Sequence, residues 1–242
     1  MTTPAQLDLD RRLRLGMVEA VWGQHKRAEQ IATILRDLVA AGETALVTRV
    51  SPGKAAAVER LLRADGPQPP LMTHHPEARC LTAPGLPPVN PERGQVTVVT
   101  GGTSDHVVAR EAGLALRCHG IQSVLVEDVG VAGLHRLLDR LAILRQASVL
   151  IVCAGMEGAL PTVVAGLLPQ PVIGVPISVG YGVSAGGAAA LQGMLASCAP
   201  GLTVVNIDNG YGAAMAALRI LNGRGPTERA WASKDVEAGD RP

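Results

Sequence analysis

The sequence predicts an α/β fold, a parallel sheet with helices on both faces, preceded by a small α/β domain. Three observations carry this. From Val96 to Leu221, five short runs of β-branched and aliphatic residues alternate with helix-length segments. The runs are nearly continuous in apolar residues, as strands covered on both faces require. The segment after each of the first four runs is made of Gly, Ser, Thr, Asp and Glu rather than ordinary turn filler, and ligands of open parallel sheets collect at these carboxyl ends.

The elements follow in order. Residues 7–15 and 27–41 read as helices, the second carrying Ile31, Ile34, Leu35, Leu38 and Val39 at helical spacing and ending at Gly42. Ala45-Leu46-Val47-Thr48 reads as a strand, and Ser51-Pro52 opens a helix through Leu62, with Ser as cap and Pro at the first helical position. Residues 1–65 are thus the small α/β domain, and 66–92, rich in Pro and largely unpatterned, is the linker. Residues 93–223 form the main domain. Its strands are expected at 96–100, 121–126, 148–153, 171–176 and 202–207, and its helices at 104–118, 134–145, 158–167, 184–198 and 211–222. Residues 224–242 read as a polar, frayed tail.

Composition narrows the partners. Lys+Arg 22 against Asp+Glu 21 gives a net charge of +1 with no long single-sign runs, so neither nucleic acid nor an anionic membrane is implied. The apolar stretches around Val149–Val152 and Val172–Val175 are far shorter than the roughly 20 residues that span a bilayer. Asp8-Leu9-Asp10-Arg11-Arg12 is charged where a secretory segment would be apolar, so a cytoplasmic protein is expected. With no Phe, two Trp and two Tyr, the core must be packed from Ala, Val, Leu and Ile. Small side chains let helices approach closely, which suits a homo-oligomer as well as a dense core. Cys80, Cys118, Cys153 and Cys198 lie far apart without C-x-x-C pairing, and the first three read as small buried hydrophobes.

Four loops carry the candidate chemistry. Gly101-Gly102-Thr103-Ser104-Asp105 puts glycines and hydroxyls at a helix start, where unpaired N–H groups accept an anion. Asp105 suits a ribose hydroxyl, Mg²⁺ or a water better than a phosphate. In the second loop Asp128, Gly130, Val131, Gly133, His135 and Arg136 place acid, glycines and cations at one strand end. In the third, Gly155, Met156, Glu157 and Gly158 frame a carboxylate, which reads equally as a partner of the helix dipole and as a general base or metal ligand. The fourth contains Ser178, Gly180, Tyr181 and Gly182, followed by Gly186 and Gly187. Cys198 ends the helix expected over 184–198. The dipole there disfavours a thiolate, so composition and position alone favour packing over nucleophilic attack.

Taken together, GGTSD, DVGVAGLHRLL, AGMEGALPTVVAGL, PVIGVPISVGYG, LASCAPGLTVVNIDNGYGA and, in the first domain, LVTRVSP resemble the LarB family. These are the pyridinium-3,5-biscarboxylic acid mononucleotide synthases of nickel-pincer nucleotide biosynthesis, which serve lactate racemase maturation. The resemblance runs from about Gly16 to Asn222. More distantly, the main domain resembles the PurE aminoimidazole ribonucleotide mutases, flavodoxin-like carboxylases that assemble as octamers. Leu134-His135-Arg136 is similar to the mutases' Ala-His-Arg, whereas Met156-Glu157-Gly158 stands where they carry Ala-Ala-His.

The resemblance implies a flavodoxin-like, PurE-like fold, nicotinic acid adenine dinucleotide and CO2 or bicarbonate as substrates, and Mg²⁺ as cofactor. It implies that Cys198 is the nucleophile that adds to the pyridinium ring, with Glu157 and Asp105 as candidates for holding Mg²⁺ or orienting the hydrolytic water. A mutase of aminoimidazole ribonucleotide is the second expectation and a non-catalytic nucleotide-binding module the third.

Overall fold

The computed structural model describes residues 6–64 and 69–223, so the tail expected over 224–242 lies outside the described residues. Two sheets organise them. The first has four strands in the order β1-β2-β4-β3, namely β1 (Ala20–Trp22), β2 (Ala45–Thr48), β3 (Thr73–His75) and β4 (Cys80–Ala83). β1 and β2 run parallel, and β4 pairs antiparallel with both β2 and β3. The second sheet has five strands, all parallel, in the order β6-β5-β7-β8-β9. They are β5 (Gln95–Thr100), β6 (Gln122–Val126), β7 (Val149–Ala154), β8 (Val172–Pro176) and β9 (Thr203–Val204). This is the flavodoxin-like order, with its direction of winding reversing between β5 and β7.

In the first domain α1 (Arg11–Leu15) leads into β1, and α2 (Ala28–Ala40) and α3 (Pro52–Ala64) pack on each other and on the sheet. α2 buries Ile31, Ile34, Leu35 and Leu38, the apolar stripe that its spacing predicted. The Arg27 amide donates to the Gln30 side chain at 3.0 Å, satisfying one donor at the helix start. At the edge of the sheet, half-exposed Trp22 meets the His25 ring edge-on, with centroids 4.8 Å apart. Met17, Val18, Leu46, Ala78 and Cys80 share one core with Val98, Ala112, Ala115 and Ala213, so the two sheets are joined by apolar packing.

In the second domain alternate strand residues face opposite layers. Val96, Val98, Ile151 and Ile173 pack under α4 (His106–Arg117) and α9 (Gly210–Asn222). Val99, Leu150, Val152 and Val172 pack against the other layer, made by α5 (Leu134–Leu138), α6 (Leu141–Leu144), α7 (Ala159–Leu167) and α8 (Ala188–Leu195). Burying one such aliphatic side chain is worth roughly 1.5–3 kcal/mol, which is how a core without Phe holds together.

The structure departs from the sequence expectations at several places. The expected linker over 66–92 contributes β3 and β4 to the first sheet, extending that domain beyond residue 65. β3 is only three residues long and β4 is buried at every position, so neither shows the alternation that marks a half-buried strand. β1, also three residues, gave no signal. The first helix is confined to Arg11–Leu15, since Asp8 engages Arg11 and Arg14 from outside the helix and Gly16 stops it at φ +67°. The helix expected over 134–145 is broken into α5 and α6. The one expected over 184–198 starts only at Ala188, because Ala185 is extended and Gly186 and Gly187 are left-handed, and it ends at Leu195. The last strand is two residues, not six, because the chain turns away after pairing with Gly174. No helix among the described residues is long and apolar enough to cross a membrane.

Candidate functional site

Because all five strands of the second sheet are parallel, their carboxyl ends form one edge, and four loops stand side by side along it in the order 128–136, 101–105, 155–158, 178–182. Glycines knit neighbouring loops together. A Cβ on Gly130 would lie 2.6 Å from the Gly101 carbonyl oxygen, and one on Gly155 would lie 2.5 Å from that of Val179. The Gly101 amide donates to the Cys153 carbonyl at 3.1 Å, tying the β5 end to β7, and the Ile177 amide donates to the Ala154 carbonyl at 3.0 Å. Gly130 and Gly155 are therefore accounted for first by close approach of loop to loop, whereas a Cβ on Gly102 or Gly182 would meet nothing within 4 Å.

The two central loops flank the point where the sheet reverses its winding, and each carries a carboxylate. Asp105, only 5 % exposed, turns back on its own loop and accepts the Gly102 amide at 2.9 Å. Burial pushes its carboxyl up from the ordinary range, while the amides of Gly102 and Gly101 pull it back. Thr103 and Ser104 stand exposed at the tip of the same loop. Glu157 is exposed, in a tight turn between Met156 at φ +52° and Gly158 at φ +69°. That turn is pressed from behind by α8, where a Cβ on Gly193 would lie 2.3 Å from the Glu157 carbonyl oxygen. Small residues on α8 thus fix the height of the Glu157 turn.

On one flank Asp128, also left-handed at φ +57°, pairs with Arg136 at 2.7 Å, and its amide donates to the Thr100 hydroxyl at 3.1 Å. His135 is exposed beside this pair. On the other flank Tyr181 is 78 % exposed at the tip of a loop whose Ser178 amide donates to the Asp208 carboxylate at 2.8 Å. The sequence-derived loops are thus brought to one edge, with an acid, a cation and a phenol available to a ligand lying across it.

Cys198 lies in none of these four loops, but in the segment after α8, the helix that presses on the Glu157 turn. It follows α8 by three residues rather than ending a helix that reaches it, and it is exposed. The adjacent Ser197 hydroxyl accepts from the Thr162 hydroxyl at 2.8 Å and from the Ala199 amide at 3.1 Å, which pins the segment to α7. The other three cysteines are buried. Desolvation pushes the thiols of Cys80 and Cys118 up to about 12 and raises that of Cys153 well above its usual value. A buried neutral thiol is inert. Cys198 is the one thiol among the four that a solvent-borne ring could meet.

Two residues of this edge carried no role in the sequence reading. Asp208, at φ +54° in the 206–209 turn, holds the fourth loop through Ser178. Arg49, from the end of β2, donates to the Asp208 carbonyl at 2.6 Å. Both lie inside motifs quoted above, NIDNGYG and LVTRVSP, and that membership was the available signal. An open cavity of about 450 Å³ lies elsewhere, between β3, α4 and β6, lined by His74, His75, Arg110 and Arg117 among others, and includes none of the strand-end residues. Among the described residues no three His, Cys, Asp or Glu side chains stand close enough to hold a metal ion by themselves.

Comparison with known proteins places this arrangement. Residues 95–234 match the AIR carboxylase family, so the second domain is a PurE-like carboxylase or mutase domain. Residues 2–84 match the LarB/PurE-like N-terminal domain. With both domains in this order, the chain belongs to the LarB family. An uncharacterised protein of Methanocaldococcus jannaschii is 37 % identical over 214 residues, covering 88 % of this chain and 82 % of that one. The N5-carboxyaminoimidazole ribonucleotide mutase of the same organism is 34 % identical over 133 residues, covering 52 % of this chain and 78 % of its own. A crystal structure of a PurE2 variant from Treponema denticola superposes with a TM-score of 0.46 at 21 % identity, covering 54 % of this chain and 81 % of that one.

Proposed function

We propose that the chain carboxylates the pyridinium ring of nicotinic acid adenine dinucleotide at C5 and hydrolyses the phosphoanhydride, releasing AMP and pyridinium-3,5-biscarboxylic acid mononucleotide. The observation that carries this reading is the contrast among the thiols, with Cys198 exposed while Cys80, Cys118 and Cys153 are buried and held neutral. The Cys198 Sγ, as thiolate, adds to C4 of the electron-poor ring and gives a dihydropyridine. Its enamine carbon C5 then has the electron pair needed to form a bond to CO2. Loss of the C5 proton to a base, for which Glu157 is an exposed carboxylate of the edge, and departure of the thiolate from C4 restore the aromatic ring.

For the hydrolysis, the exposed Thr103–Ser104 tip of the glycine loop receives phosphate, the Gly101 and Gly102 amides being engaged by Cys153 and Asp105, and Arg136 supplies a cation at the neighbouring strand end. Bound Mg²⁺ would polarise the phosphoanhydride. The ion commonly uses one or two carboxylates together with substrate phosphates, and exposed Glu157 fits that use. Asp105, committed to the Gly102 amide, supports the loop from beneath. The dinucleotide and the carboxylated product leave the cell's nucleic acid and membranes out of the scheme, and the protein acts as a homo-oligomer in the cytoplasm.

Mass analysis of products tests the reading. Purified protein incubated with nicotinic acid adenine dinucleotide, bicarbonate and Mg²⁺ is expected to give AMP and a mononucleotide heavier by one carboxyl group. Turnover of N5-carboxyaminoimidazole ribonucleotide instead would assign the mutase reaction of the Methanocaldococcus relative. Binding without turnover of either would make the chain a nucleotide-binding module.

A further inference from the structure

The Arg49 side chain carries the first domain to the 206–209 turn at the substrate edge. β2 ends at Thr48, and Arg49 then adopts φ +57°, a left-handed conformation that L-residues disfavour. Main-chain bonds on both sides hold it there. The Gly23 amide donates to the Thr48 carbonyl at 2.9 Å, and the Val50 amide donates to the Arg79 carbonyl at 2.7 Å. The turn sends the Arg49 guanidinium across the domain boundary to the Asp208 carbonyl, 159 residues away in sequence. Asp208 is itself left-handed, so two conformations that L-residues disfavour meet at one hydrogen bond. Backbone strain kept in this way marks a geometry that the surroundings enforce.

The consequence lies one step further along the turn. The Asp208 amide donates to the Pro176 carbonyl at 2.9 Å, and its carboxylate accepts the Ser178 amide. Ser178 opens the loop that carries Gly180, Tyr181 and Gly182, and the Gly186 amide returns to the Ser178 carbonyl at 3.1 Å. That loop contains left-handed glycines at 182, 186 and 187 and has little intrinsic preference for one shape. Its tie to Asp208 comes from outside the loop. A buried carboxylate completes the cluster. Glu111 on α4, 5 % exposed, accepts the Tyr211 amide at 2.9 Å in the first turn of α9 and stands within electrostatic reach of Arg49 and Arg79.

We propose that Arg49 is a positioning residue through which the first domain holds the 206–209 turn, so that Asp208 fixes the Ser178–Gly187 loop for the substrate. Its effect on substrate rests on the dinucleotide reading above, whereas its effect on the loop does not. The first domain is then a working part of the site, acting on it from 159 residues away in sequence.

Amide hydrogen exchange of the full-length protein, without substrate, tests the loop. In Arg49→Ala the peptide spanning 176–187 is expected to exchange faster by roughly tenfold or more, the value of one charge-assisted hydrogen bond. Peptides from α2 and β5 should stay at wild-type rates, and Arg49→Lys should restore part of the protection. Asp208→Ala, which leaves the first domain intact, should produce the same local loosening. Arg49→Ala added to Asp208→Ala should give no further change in that peptide. Equilibrium binding of nicotinic acid adenine dinucleotide should weaken in parallel with the loosening. Unchanged exchange over 176–187 in Arg49→Ala would overturn the proposal, whatever Asp208→Ala does, as would faster exchange spread over the whole chain, which marks simple domain glue. Local loosening in a protein that binds no dinucleotide at all would leave the positioning in place and remove the substrate reading instead.

Discussion

The two sheets obey different rules, and the difference explains where chemistry can collect. The second is parallel throughout, so five strands end on the same edge and four polar loops become neighbours. The first is mixed: β1, β2 and β3 run one way and β4, antiparallel to its neighbours β2 and β3, runs the other, so its strand ends are divided between two edges. Its polar residues are spent in pairs, Arg12 with Glu43 at 2.9 Å and Arg63 with Glu59 at 2.6 Å, or reach across to the other domain as Arg49 does. Through Arg49 this sheet touches the 206–209 turn of its neighbour.

The largest expected effect separates the two domains by chemistry. Cys198→Ser should lower ring carboxylation by roughly a thousandfold or more, since an alkoxide is hardly available near neutral pH. Product analysis checks this. Alkylation of the native protein should modify Cys198 ahead of Cys80, Cys118 and Cys153, and prior labelling of Cys80 in the first domain would break the contrast. Glu157→Gln should slow loss of the C5 proton, and with it formation of the dicarboxylated ring, by about a hundredfold, in the range of a lost general base, with the thermal midpoint unchanged.

Glycines sharpen the comparison at the level of stability. Gly158→Ala in the second domain meets both a φ of +69° and the Ala190 carbonyl oxygen 2.6 Å from the new Cβ, and should cost roughly 2–4 kcal/mol in denaturant unfolding. Gly53→Ala in α3 of the first domain meets nothing within 4 Å and should stabilise by about 0.5–1 kcal/mol. Equal effects at the two positions would contradict the account of loop packing.

A smaller effect reads the seam between the domains. The His119 ring accepts the Val18 amide on Nε2 at 3.0 Å and meets the Ala115 carbonyl through Nδ1 at 2.7 Å, which suits the neutral ring. Burial lowers its affinity for a proton in the folded state. The unfolded chain therefore binds the proton more readily once pH falls below about 6.5, and stability is lost as pH drops from there toward the folded value. Urea melts over pH 5–7.5 on wild type and His119→Ala measure this loss, the variant being flatter.

Much of the fold was legible because its signals are local. The five parallel strands announced themselves through Val96–Thr100, Val149–Val152 and Val172–Val175, and α2 through its stripe from Ile31 to Leu38. What stayed hidden depended on partners distant in sequence. β3 and β4 take their meaning from β2, and their residues sit between domains where no alternation survives. The row of loops could be read from glycines and acids, but the inward turn of Asp105 follows from one amide three residues back, and Arg49 from a bond that closes only when both domains are packed. The length of the expected 184–198 helix failed at Gly186 and Gly187, both left-handed, the second packing closely on Ile177 and Ser178.

The half-exposed Trp22 ring beside His25 gives the molecule an unequal optical signature. Among the described residues it is the sole indole, and it sits at the edge of the first sheet. In a Trp231→Phe background, emission excited selectively in tryptophan reports the first domain alone, while far-ultraviolet dichroism is dominated by the helices of the second. Overlaid melting curves from the two signals would show both sheets dissolving in one cooperative event, as their shared core of Leu46, Cys80, Val98 and Ala115 requires.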